Sequence, residues 1–127
     1  MYNLGVAVAA GGGLGAVLRF YSGHVINGMA GSHFPYSTIF VNIVGSFLIG
    51  FLMELPALKS ADSVELRAFL ITGILGGFTT FSAFSLDVLK LLDAQQYASA
   101  GLYILCSLVV SLVAIFTSVY IARGIFG

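Results

Sequence analysis

Four long apolar stretches, parted by short polar ones, organise this sequence. They run from about residue 4 to 26, 37 to 55, 66 to 92 and 97 to 122. A helix needs roughly 20 apolar residues to span the hydrocarbon core of a bilayer. The pattern therefore predicts an all-α integral membrane protein, one domain over residues 1–127 that crosses four times. Turn-forming Gly28, Gly31, Ser32 and Pro35 separate the first two spans. Ser37 or Thr38 is placed to cap the second helix, Pro56 to stop it, and Asp62 or Ser63 to cap the third.

The third stretch departs from a uniform apolar helix. Its middle reads Gly73-Ile74-Leu75-Gly76-Gly77-Phe78-Thr79-Thr80-Phe81-Ser82-Ala83-Phe84-Ser85. Adjacent glycines weaken a helix, and Thr79 and Thr80 add two β-branched residues at the same depth. A break at about residues 76–82, near the bilayer midplane, is one expectation. In lipid it survives only where the freed backbone groups face protein, an ion or a water-filled path. The other is a regular helix in which glycine serves close packing.

Each span also carries small or hydroxylated residues at helical spacing. Gly11 and Gly15 lie four apart, as do Gly12 and Ala16, and Arg19 continues the Gly11–Gly15 row. Such rows let helix backbones approach closely in lipid. Thr38, Asn42, Gly45 and Ser46 share a face of the second span, with Gly50 a turn further on. Tyr103, Ser107, Ser111 and Ser118 share one of the fourth. Arg19 is costly at membrane depth, by about 2.5 kcal/mol or more. It calls for a carboxylate, backbone carbonyls, a water-filled vestibule or a reach to the interface. Asn42, set among apolar neighbours, needs hydrogen-bond partners and offers a neutral donor. Phe81 and Phe84, three apart, share a helical face, and their ring edges carry partial positive charge. Asp87 and Glu54, near helix ends, read as carboxylates at the wet ends.

Composition narrows the classes. Hydrophobic residues make up 59% and charged residues 8%, against about 25% charged in a soluble domain. Five Lys+Arg balance five Asp+Glu, which leaves no basic patch for nucleic acid. A lone cysteine, Cys106, excludes a disulfide framework and reads as a small packed residue. His24 and His33 have no ligand partners at suitable spacing, and no nucleophile or phosphate-loop motif appears, so an enzyme is not expected. No Lys or Arg precedes the first span, which is expected to be retained rather than cleaved. Lys59, Arg67 and Arg123 fall on one side of a four-span arrangement and Lys90 on the other. That weak bias leaves insertion in both orientations open.

Taken together, these motifs resemble the Fluc (CrcB) family of fluoride channels over essentially the whole chain. The resemblance rests on residues 12–20, on Thr38 to Phe47 and, most specifically, on Gly73 to Ser85. It implies an antiparallel dual-topology homodimer in the cell (inner or plasma) membrane, with two pores that export cytoplasmic fluoride passively. By position it assigns Asn42, Phe81, Phe84, Thr38, Tyr103, Ser107, Ser111 and Ser82 to the fluoride pathway, and Arg19 to a vestibule. One subunit's Phe81 is expected to serve a pore built mainly by the other. Gly76 and Thr79 are implied to hold a structural Na⁺ at the dimer interface through backbone carbonyls. Ala83 stands where a threonine is common, and Asp87 where a glutamate is common. Neutral donors suit an anion that must both shed water and leave again. The main rival is a small proton-coupled multidrug exporter, which needs a membrane carboxylate that the first span lacks. A third reading is a non-conducting assembly subunit, in which the polar rows are packing alone.

Overall fold

The computed structural model describes residues 2–31 and 33–127, the Tyr2 side chain excepted. Ser32, grouped above with the turn formers, lies outside the described residues. The chain forms α1 (Tyr2–Ala30), α2 (Tyr36–Met53), α3 (Pro56–Lys59), a 3₁₀ turn (Ala61–Ser63), α4 (Val64–Arg67) and a π-helical segment (Ala68–Leu75). It continues as α5 (Gly76–Phe78), α6 (Ser82–Asp93) and α7 (Tyr97–Phe126). Four stretches are long and apolar enough to cross a membrane: Asn3–Ala30, Tyr36–Met53, Ala61–Asp93 and Tyr97–Phe126. The described residues are otherwise turns and loops, with no strand among them.

Several boundaries differ from the sequence expectation for local reasons. α1 continues past Ile26 through Gly28 to Ala30, because Gly28 alone costs a helix only about 1 kcal/mol. It stops at Gly31, whose φ of 84° is the left-handed conformation that glycine adopts without strain. The expected caps Ser37 and Thr38 lie inside α2. Pro35 occupies the cap position and makes no side-chain cap bond. Pro56 opens α3 as its first residue, while α2 has already ended at Met53. Ser63 does precede α4, but its hydroxyl donates to the carbonyls of Leu58 (2.9 Å) and Ser60 (2.6 Å) rather than capping the helix. Arg67 Nη1 binds the Leu58 carbonyl at 2.7 Å and Ser63 Oγ at 2.8 Å, which ties this connection together.

Glycine rows set the packing. A Cβ at Gly11 or Gly15 would collide with the backbone of Phe69 or Ile74, so α1 lies directly against the third span. Gly77 faces the Gly12 carbonyl, where a Cβ would sit 2.6 Å away. On α2, Gly45 admits Thr79 and Gly50 admits Ser118 of α7. A second cluster, Phe84, Leu91, Ala100 and Tyr103, joins α6 to α7 and is covered by Phe34, Ile39, Val88 and Ile104. Large apolar side chains such as Val17, Leu18, Leu105 and Phe116 remain on the outside of the single chain, as an apolar solvent permits.

Candidate functional site

Between α5 and α6 the chain leaves helical geometry. Thr79 is extended, with φ −87° and ψ 160°, and the backbone groups released there find specific partners. Asn42 grips the next residue with both ends of its amide. Its Nδ2 donates to the Thr80 carbonyl at 3.0 Å, and its Oδ1 accepts from the Thr80 N–H at 2.8 Å. Arg19 Nε donates to the Gly77 carbonyl at 3.1 Å. Of the partners open to Arg19, the structure selects a backbone carbonyl, with the rest of the guanidinium beside a polar cavity. Thr80 Oγ1 accepts from the Ala83 N–H at 3.1 Å and so caps α6 where Ala83 itself offers no hydroxyl. The helical donors of the Gly76 and Thr79 carbonyls would be the N–H groups of Thr80 and Ala83. Both are engaged elsewhere, by Asn42 and by the Thr80 hydroxyl.

Beside this segment lies a cavity of ≈ 320 Å³ between α2, the third span and α7. It brings together Asn42, Phe81, Phe84, Ser107 and Ser111 of the sequence-derived pathway, with Thr79, Thr80 and Ser46. No charged side chain lines it. Asn42 carries two amide hydrogens and spends one on Thr80, leaving the other for an occupant. The hydroxyls of Ser107 and Ser111 are buried and have no hydrogen-bond partner among the described residues. Buried polar groups are nearly always satisfied, so these two hydroxyls, on residues that line the cavity, are donors still without an acceptor among the described residues. Phe84 is buried against Tyr103, ring centroids 5.2 Å apart, and Phe81 lies 5.4 Å from Phe84. Phe81 is nevertheless 72% exposed on the single chain.

Thr38, Tyr103, Ser82 and Arg19 do not line this cavity. Thr38 and Arg19 border a second one of ≈ 310 Å³ with His24, Asn27, Ser37 and Thr80. Ser82 lies at the start of α6, its hydroxyl 3.2 Å from Thr80 Oγ1. Tyr103 is wholly buried, and its hydroxyl donates to Asp87 Oδ2 at 2.8 Å. Asp87 stays half-exposed near its helix end, and the bond adds Tyr103 as its partner. Its sequence signal is the spacing Phe84, Asp87, Leu91, which sets it on the helix face that packs on α7. Glu54, at the end of α2, is paired rather than free. It is buried between Lys59 Nζ (2.6 Å) and Arg123 Nε (3.1 Å). His24 and His33 belong to no cluster of three or more metal-ligating side chains among the described residues. Thr80, which borders both cavities, was not legible as a site residue because its backbone rather than its side chain meets Asn42.

Known proteins match this chain along nearly its whole length. The family described as "CrcB-like protein, Camphor Resistance (CrcB)" matches residues 6–119. A protein of Agrobacterium fabrum (strain C58) named "Fluoride-specific ion channel FluC" is 48% identical over 126 residues, 99% of this chain and 100% of its own length. A protein of the same name from Rhizobium meliloti (strain 1021) is 50% identical over 117 residues, covering 92% of this chain and 94% of the relative. Another, from Rhizobium johnstonii, is 47% identical over 120 residues. A match of this extent, on a chain with four membrane-length apolar helices, establishes a multi-pass membrane protein of the CrcB-like family.

Proposed function

We propose that this protein is a fluoride channel that lets the ion leave the cell passively, down its electrochemical gradient. The relatives are named for fluoride, and one feature of this chain carries the reading. Ser107 and Ser111, whose buried hydroxyls have no partner among the described residues, line a cavity together with Asn42, Phe81 and Phe84. Hydroxyls, one spare amide hydrogen and phenyl ring edges can replace the water around a small anion. None of these groups is charged, so the ion is not trapped. Arg19, held on the Gly77 carbonyl, supplies positive potential from a neighbouring cavity that it shares with Thr38. The proton-coupled exporter gains nothing from the structure, since α1 contains no carboxylate.

The reading extends to assembly. The third span acts as a broken helix at membrane depth, its loose ends held by Asn42 and Arg19. Two chains insert antiparallel as a homodimer with two pores, and Phe81, exposed on the single chain, reaches the pore of its neighbour. The Gly76 and Thr79 carbonyls, relieved of their helical donors, are hard oxygen ligands suited to a structural Na⁺ at the dimer interface. Bound there, the ion would satisfy those carbonyls and add fixed positive charge between the pores. The inner membrane is the site of action.

The purified protein in liposomes, followed with a fluoride electrode under a potassium–valinomycin drive, should release fluoride rapidly. Correctly folded protein that releases none would overturn the proposal, and proton-coupled uptake of a cationic drug would install the exporter instead.

A further inference from the structure

Where α1 turns into α2 and α6 into α7, two cavities share a rim. One, of ≈ 290 Å³, is lined by His33, Asp87, Lys90 and Gln96. The other, of ≈ 570 Å³, also begins at His33 and Gln96, then runs over Phe34, Ile39, Leu102 and Cys106. The composite is polar at the end of the bundle and apolar along the helices leading away from it. We propose that it seats one anionic phospholipid, with the phosphate on Lys90 and His33 and an acyl chain along the apolar groove.

Charge and depth both support that occupant. Lys90 is exposed and makes no salt bridge among the described residues. Asp87, the one acid lining the polar cavity, is engaged by the Tyr103 hydroxyl. Asp87 keeps its charge but accepts from Tyr103. The Lys90 ammonium, unpaired among the described residues, is the group that can meet a negative headgroup, to which a nearby Lys contributes a useful share of binding. The rim lies at the helix ends, where Tyr36 and Tyr97 open α2 and α7. Tyrosines concentrate at the level of the headgroups. A soluble anion would use the polar cavity but gain nothing from the groove below it.

Cys106 is the sole cysteine and lines the groove, so its labelling rate with N-ethylmaleimide in mild detergent reports occupancy. Added phosphatidylglycerol should slow labelling saturably, and phosphatidylcholine at the same mole fraction should do so far less. Lys90→Gln should raise the phosphatidylglycerol needed about fivefold. Native mass spectrometry should show the retained lipid lost with the same substitution, which sits on an exposed position and spares the fold. Equal protection by both lipids, no effect of Lys90→Gln, or protection by inorganic phosphate alone would overturn the proposal. A thiol already unreactive in lipid-free protein would also overturn it, because the groove would then be closed without lipid.

Discussion

Ser107 and Ser111 carry buried hydroxyls with no partner among the described residues, and an unsatisfied buried hydroxyl costs about 1–3 kcal/mol. Alanine at either position removes that cost. Ser107→Ala and Ser111→Ala should therefore melt no lower than the parent in detergent while slowing fluoride flux. A lower melting temperature with unchanged flux would make them packing residues. Phe81 and Phe84 separate in a different way. Isoleucine at either should abolish or sharply slow flux in correctly folded protein. Only Phe84→Ile should also lower the melting temperature, because only Phe84 is packed on Tyr103. Unchanged flux in both variants would remove the rings from the pathway. Much of this site was legible residue by residue. Asn42 among apolar neighbours announced that it needed partners, and the row Tyr103, Ser107, Ser111 announced a polar face. What the sequence could not name was the partner, since the Thr80 peptide is 38 positions from Asn42. Nor could it pair Tyr103 with Asp87, 16 positions away.

Helices in lipid meet where side chains are absent, and α1 makes that testable. A Cβ at Gly15 would drive into the Ile74 carbonyl, whereas one at Gly13 would meet nothing within 4 Å. Gly15→Ala should cost about 1–3 kcal/mol or more, as overpacked contacts do. Gly13→Ala should be neutral or stabilising through helix propensity. Thermal unfolding of the two variants side by side checks the pair, and equal behaviour would dissolve the proposed contact. The four-residue row was readable because spacing on a helix is local. Which turn of the third span it meets was not, and neither was the π-helical winding of Ala68–Leu75, which leaves no mark in residue type. The end of α1 was misjudged because hydrophobicity fades before helical hydrogen bonding does.

At the scale of the whole molecule, one cluster of the scarce charges joins three helices at their ends. Glu54 joins the end of α2 to Lys59 on α3 and to Arg123 near the end of α7. The hydrogen bond from Lys59 holds its carboxyl below the ordinary 4.5, against desolvation and with help from Arg123. A depressed carboxyl stabilises the fold above its unfolded value, and the contribution fades as pH falls through the folded one. The parent should thus lose melting temperature below about pH 4.5, and Glu54→Gln should start lower at pH 7 and show less of that acid loss. Parallel curves for the two proteins would mean that the cluster contributes nothing. Thr80 has a different reach. It borders both the Arg19 cavity and the cavity of Asn42, Ser107 and Ser111, which follow one another along α2. The Thr80 peptide, clamped by the Asn42 amide, thus stands at the junction of the two cavities, where a shift of that single peptide would reshape both at once.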